Sequence, residues 1–387
     1  MQSRIIFYIF IAFISAHSAE WSFRGQASAL GTGSFEVLDR SQIGLQYIPE
    51  ASLAHPIGEN HLLDAAISAN TSTSYRFDQQ QGESKLDMYR LWLRWSGSQY
   101  EARLGLQQIK FGPGMILRPL MWFDRIDPRD ALQFSKGVYA GLFRYYFINN
   151  ANIWLWSVLG RSEAKGLELV ASEDNKIEYG ARLQYPMQTG ELAITYYHRT
   201  ADINSLFPDN LSFNLDPAPE HRFALDGKWD IAIGLWFEAV VMQKEITLPY
   251  PIPGLFSSDA GNRLYSKYLM VGADYTLGLG NGLHILGEHM IMDLSDQLDR
   301  VGERYDFSAV LADYPISLWD MCMAIIYYDW EHSDWYNYIT WRRTYDNWSI
   351  NAGLFWNPEN PSFIGRDTSN IFIGAGRGFQ IMLIYNH

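Results

Sequence analysis

Alternation of apolar and polar residues with a period of two runs along this chain, and it limits the possible folds more than any other feature. Apolar residues at every second position line one face of a strand, whereas a helix requires a recurrence near 3.6. In the two segments joined by Ser96-Gly97-Ser98, one face carries Tyr89, Leu91, Leu93 and Trp95, and the next carries Tyr100, Ala102, Leu104 and Leu106. Arg90, Arg94, Glu101, Arg103 and Gln107 fall between them. Ile177 to Tyr185 alternates in the same way, as do Ile231 to Val241, Leu269 to Leu277 and Trp319 to Tyr327. Clusters of Gly, Pro, Asn, Asp and Ser separate these segments, and none of them has a helical period.

Many half-apolar strands can bury their faces against one another in a soluble sandwich or propeller, or turn them toward lipid in a closed barrel. Composition favours the barrel. Aromatic residues make up 15% of the chain, and several Tyr and Trp stand at strand ends, where a membrane barrel carries its interfacial girdles. Charged residues are 19%, below the ~25% usual for soluble domains. No segment has the ~20 apolar residues of a spanning helix. Phe379, Ile381, Leu383 and Tyr385 alternate up to His387, and a first strand at Trp21 to Ala29 is expected to pair with them, so that no open edge remains. This last stretch resembles the terminal strand by which outer-membrane barrels are recognised for insertion, with His387 in place of the usual aromatic residue. The expectation is an all-β protein, a single transmembrane antiparallel β-barrel of 16–18 strands over residues 19–387.

The first eighteen residues fit an export leader. Arg4 precedes the apolar run Ile5 to Ile14, and Ser15-Ala16-His17-Ser18-Ala19 offers cleavage after Ser18. A Gram-negative-type outer membrane is the implied destination, with outer-membrane lipid and the barrel assembly machinery as partners. Cys322 is the only cysteine, and no CxxC or CxxCH is present, so no disulfide, metal or other cofactor is expected. A net charge of −13 without an extended basic tract argues against nucleic-acid binding.

One segment departs from alternation. It runs from Gln107-Gln108-Ile109-Lys110-Phe111-Gly112-Pro113-Gly114 through Arg118-Pro119-Leu120-Met121-Trp122-Phe123-Asp124-Arg125-Ile126-Asp127-Pro128-Arg129-Asp130. With Gly105, it resembles a spacing pattern of bacterial outer-membrane porin-like families, alginate-export and related barrels among them. In those families such a segment folds into the lumen. The likeness covers about 30 residues and implies a porin-like architecture without transferring a substrate. The residues point the same way: Met115, Ile116, Leu117, Leu120, Met121, Trp122, Phe123 and Ile126 need cover, while Pro113, Pro119 and Pro128 block strand continuation. Irregular backbone at membrane depth is tolerated where it lines an aqueous cavity. Arg118, Trp122, Asp124, Arg125, Asp127, Arg129 and Asp130 are therefore candidate lumen residues, in either a constriction or a plug held by ion pairs.

Residues 88 to 146 hold nine Lys or Arg against four Asp or Glu. Projecting inward, Arg90, Arg94, Arg103 and Arg144 would form a basic ladder favouring anions. Paired with acids across the strands, they would leave little net field. A catalytic site finds no support, because the histidines are scattered and none adjoins a recognisable nucleophile motif. His284, Glu288 and His289 come nearest to a metal cluster, but on a strand His289 points away from the other two. A siderophore-type receptor would need 22 strands and a plug, for which this chain is too short. Two classes remain: a porin-like channel for small hydrophilic solutes, anionic ones among them, and a non-conducting barrel serving as surface receptor, anchor or assembly factor. Asp202 to Glu220, Lys244 to Lys267 and Asn357 to Asn370 are the expected extracellular loops.

Overall fold

The computed structural model describes residues 19–36, 41–160, 163–166, 168, 170–206, 216–246, 263–359 and 376–387. The expected leader, residues 1–18, lies outside them, as do the middles of the three expected extracellular loops. The first nine strands are β1 (Glu20–Ser34), β2 (Gln42–Ile57), β3 (His61–Arg76), β4 (Gln81–Ser96), β5 (Tyr100–Gln107), β6 (Val138–Tyr146), β7 (Asn152–Leu159), β8 (Ile177–Met187) and β9 (Gly190–Ala201). The second nine are β10 (Ala218–Asp230), β11 (Gly234–Glu245), β12 (Arg263–Leu277), β13 (Leu283–Ser295), β14 (Glu303–Pro315), β15 (Asp320–Asp329), β16 (Asp334–Thr344), β17 (Trp348–Trp356) and β18 (Arg377–Asn386). Each pairs antiparallel with its chain neighbours, and β18 closes on β1 from Gln26 opposite Asn386 to Ser34 opposite Gly378. The chain is thus a closed 18-stranded barrel, the upper figure of the expected range. Reciprocal hydrogen bonds between the backbones of Gly25 and His387 continue the seam, and the Tyr47 hydroxyl lies 3.0 Å from His387 Nε2.

Alternation sorts the two faces. Trp21, Phe23, Leu45, Leu93, Leu104, Leu183, Ile194, Leu269, Val271, Leu354 and Ile381 are exposed on the outer face, an apolar girdle that is stable against lipid rather than water. Even-to-odd connections are turns of two to five residues, and the long connections, such as 108–137 and 160–176, all leave the opposite rim.

Three details of the alternation come out differently. The β3–β4 register shifts between Ser68 and Ala69, so Tyr89 has no opposite partner and stacks instead on Phe134 of the 108–137 connection, ring centroids 5.1 Å apart. Gly105, at φ 122, has no room for a Cβ against the Leu91 carbonyl, and beyond it both Leu106 and Gln107 are buried. The face ending in Ile325 and Tyr327 is an inner one: both are buried, whereas Ile326 of the same strand is exposed. An apolar inner face is stable only if something apolar fills the lumen beside it.

Candidate functional site

What fills it is the β5–β6 connection, residues 108–137. Its first half carries Ile109, Phe111, Leu120, Trp122 and Phe123 into one buried cluster with Leu142 of β6, Trp156 of β7, Tyr197 of β9 and Val240 of β11. Leu117 joins a second cluster with Trp236, Met270, Met290, Ile325 and Tyr327. The Gly114–Leu120 bend between them forms no sheet, so its amides need acceptors from elsewhere.

Two carboxylates of the wall supply these. Glu238 of β11 accepts from Gly114 N at 2.8 Å and Leu120 N at 2.9 Å. Glu288 of β13 accepts from Met115 N at 2.7 Å, Ile116 N at 2.9 Å, Leu117 N at 2.5 Å and the Trp236 indole at 2.9 Å. Each of these bonds satisfies a donor that would otherwise be buried unpaired, which costs about 1–3 kcal/mol. Gly112, at φ 88, lets the chain pass the Glu238 carboxylate where a Cβ would collide with it.

The second half runs on around the lumen. Arg118 Nη1 donates to Asp124 Oδ2 at 2.7 Å, both side chains fully buried. Arg125 Nη2 donates to Ala164 O at 2.8 Å. Arg129 pairs with Asp127 at 2.6 Å and lies over the Tyr327 ring, 5.3 Å from its centroid. Burial opposes ionisation of Asp127, but the Arg129 guanidinium outweighs it and holds that carboxyl below its ordinary range. Asp130 accepts from Leu132 N at 2.8 Å and Phe134 N at 2.9 Å, yet burial prevails there and pushes its carboxyl up to about 6. Ala131 and Leu132 pack on Leu30, Met382 and Ile384, and Ser135 O accepts from Arg90 Nη2 at 3.0 Å. The connection therefore contacts in turn β6 to β11, β13 to β15, the β18–β1 seam and β4.

The register puts all four arginines of the ladder on the inner face. Arg94 pairs with Asp64 at 2.7 Å and with Glu101 at 3.4 Å, and Arg144 takes Glu101 at 2.9 Å. Arg103 stacks over Trp92, 4.8 Å from its centroid, and neither it nor Arg90 has an ion-pair partner among the described residues. Four guanidinium groups thus face two carboxylates on this wall. Of the histidine cluster, His284 lies between Asp274 and Asp313, Glu288 is taken up by the loop amides, and His289 meets Ser308 on the outer face.

Sequence reasoning missed a second inward element. In the 160–176 connection, Lys165 Nζ pairs with Glu178 at 2.6 Å, and Glu168 sits between Arg199 at 3.1 Å and Arg222 at 2.8 Å. Those two guanidinium groups also hold Glu220, and the Tyr197 hydroxyl bonds to Glu178. Burial opposes ionisation of Glu168, but Arg199 and Arg222 overcome it and hold its carboxyl low. Sequence reasoning also passed over the anchor Glu238 of the 108–137 connection, for which a signal did exist: Trp236, Glu238 and Val240 alternate with an apolar outer face, and an acid flanked by large apolar groups does not suit a wet wall.

The closed barrel, its apolar girdle and its inward-folded connections define an integral outer-membrane β-barrel of the porin type. The structure is similar to OccD3 (OpdP) of Pseudomonas aeruginosa, with TM-score 0.58, 9% identity, and 95% of this chain and 91% of that one covered. It is similar also to OccAB1 of Acinetobacter baumannii, with TM-score 0.57, 10% identity and coverage of 96% and 98%. A third likeness is to the anion-selective porin from Comamonas acidovorans, with TM-score 0.51, 9% identity and coverage of 96% and 100%. No family model and no curated protein matches the chain, so the alginate-export resemblance goes no further than the porin fold.

Proposed function

We propose that this protein is an outer-membrane channel for small hydrophilic solutes, delivered by a leader ending at Ser18, with its long connections facing outward. One observation carries the reading: the inner faces of β1 to β3 carry Gln26, Ser28, Gln46, Asn70, Ser72 and Ser74, a run of hydroxyl and amide side chains that suits a wetted path better than a filled core. The porin fold of the structures it resembles supports the same conclusion.

Where the pore discriminates, we assign it a preference for anions, because Arg90 and Arg103 lie on the inner face with no direct ion-pair partner among the described residues, four guanidinium groups share two carboxylates on their wall, and the pairs in the 108–137 connection neutralise one another. One of the solved structures it resembles is described as an anion-selective porin, which is in keeping with this assignment. Purified protein in a planar bilayer should give discrete conductance steps, and in a salt gradient the reversal potential should indicate anions. Arg103→Glu should move that potential toward cations. A folded, heat-modifiable protein without steps would favour a receptor, anchor or assembly role instead, and an unmoved potential in a conducting Arg103→Glu variant would remove that residue from the ion path.

A further inference from the structure

Near the rim from which the long connections leave, the inner wall of β9 and β10 holds two arginines side by side. Arg199 stands directly opposite Glu220 and donates to it from Nε at 2.8 Å and Nη2 at 3.0 Å, and Arg222 Nε donates to the same carboxylate at 2.6 Å. The wall by itself therefore fixes both guanidinium groups. Arg199 Nη1 and Arg222 Nη2 also reach the 160–176 connection, where each takes a separate oxygen of Glu168, at 3.1 and 2.8 Å. Arg199 Nη1 is further bonded to Val170 O at 3.1 Å and Ser172 Oγ at 3.2 Å. Arg222 lies 5.6 Å from the ring of Trp122 and 5.2 Å from that of Tyr197, which hold its plane in place.

The charges of this cluster do not balance. On the wall, Glu220 faces Arg199, Arg222 and the Lys244 ammonium, which lies 3.2 Å away. The connection adds Glu168, and it adds Lys165, which pairs with Glu178 of β8. Four cations thus meet three carboxylates among the described residues, and every one of these side chains except Lys244 is more than nine-tenths buried. A buried surplus of charge is unfavourable unless something compensates it. Another monoanion in the place of Glu168 would leave the surplus as it is, whereas a dianion would cancel it. Glu168 also has a way out. Its side chain is 2% exposed while the residue as a whole is half-buried, so the main chain borders open space and the carboxylate can turn toward it. Lys165 on Glu178 and Arg125 on the Ala164 carbonyl tether the connection independently of Glu168.

We propose that Arg199 and Arg222 form a binding site for the dianionic phosphate group of small phosphate monoesters, which Glu168 fills in their absence as a tethered stand-in. Two phosphate oxygens take the places of the two Glu168 oxygens, and the second negative charge neutralises the surplus. A tethered group competes at an effective concentration in the millimolar range, so a free monocarboxylate that makes the same contacts gains nothing on it. A phosphate monoester, with a charge of about −1.5 to −2 at neutral pH, does. The inference rests on the channel reading for its transport meaning, as a capture point at the mouth, though not for binding itself.

The test is titration calorimetry on the full-length, detergent-solubilised, heat-modifiable protein near neutral pH. Glycerol 3-phosphate is the probe, and glycerate, a monoanion on the same carbon skeleton, is the comparator. Glycerol 3-phosphate should bind saturably and glycerate far more weakly. Glu168→Gln removes the internal competitor while keeping its shape, so it should tighten glycerol 3-phosphate by about tenfold or more. A purely structural role for Glu168 predicts no such gain. Adding Arg222→Gln to that variant should abolish the binding. If Glu168→Gln loses the heat-dependent shift on gels, Glu168→Asp, which keeps the charge but shortens its reach, should tighten binding in the same direction. Equal affinity in the parent and the Glu168 variant overturns the proposal, as does glycerate binding as tightly as glycerol 3-phosphate, or no binding in either folded protein. A bilayer without current steps defeats the channel reading alone, and the calorimetry still decides the site.

Discussion

The two sides of the barrel solve the same problem in opposite ways. From β6 to β15 the inner wall is packed: apolar side chains meet the 108–137 connection, and buried charges are paired or bonded to loop amides. From β1 to β3 the inner wall bears mainly small hydroxyls and amides, while β16 to β18 mix such groups with buried Tyr336, Tyr338, Phe355, Met382 and Ile384. Both halves present alternating strands to lipid, so the contrast arises wholly inside. One side of the lumen is filled, and under the proposed function the other is the path.

The sharpest way to break this contrast is to remove the carboxylates that hold the filling in place. Glu288→Ala would leave four donors without their acceptor, a loss on the order of 5 kcal/mol to loop docking. Limited proteolysis should then cut within 108–137, and conductance should rise while the barrel keeps its heat-dependent shift on gels. A protease-resistant loop in that variant would show that apolar packing alone suffices. Glu168→Ala should act next most strongly, by about 3–5 kcal/mol on the 160–176 connection, because Arg199 and Arg222 lose one of the carboxylates that neutralise them. Cleavage near Lys165 by trypsin reads this out.

A smaller, reversible effect is expected from pH. Burial raises the Asp130 carboxyl to about 6 from 3.8, so the docked turn binds a proton more readily than a released one. Docking is therefore weaker at neutral pH and strengthens as pH falls from about 6 to about 4, by at most ~3 kcal/mol. Asp127, Arg129, Tyr327 and Tyr338 surround this turn, and only Asp127, which Arg129 holds low, works in the opposite sense, at still lower pH. Conductance should decline over that interval, and Asp130→Asn should flatten the profile. An unchanged profile in Asp130→Asn would locate the titration elsewhere. The smallest effects belong to the open wall: Ser72→Ala or Ser74→Ala should change barrel stability by no more than about 0.5 kcal/mol in thermal unfolding. A larger loss would mean that the open side is a packed one as well.

Much of the architecture was legible because alternation depends only on nearest neighbours. Leu91, Leu93 and Trp95 or Ile177, Tyr179 and Leu183 declare a strand and its lipid face without reference to the rest of the chain. The inward course of 108–137 was also legible, from its prolines and from apolar side chains that water would not tolerate. The pairing of Arg94 with Asp64 and Glu101 remained one of two open alternatives, since a strand pattern names the residues of a face but not their cross-strand partners. Tyr89 and Leu106 were misplaced because a bulge and a positive φ interrupt the period, and the sequence marks the second only by Gly105.

By itself, then, the sequence determined that this protein is a barrel of alternating strands, that its ends meet, and that one connection cannot remain outside. Only the tertiary structure decided which inner face that connection covers and what holds it there. The physical reason is distance along the chain. Glu288 and Met115 are 173 residues apart yet share a hydrogen bond. Glu288 reads in isolation as a lumenal acid or half of a metal site, and it becomes an anchor only when closure of eighteen strands brings the Met115–Leu117 amides against it.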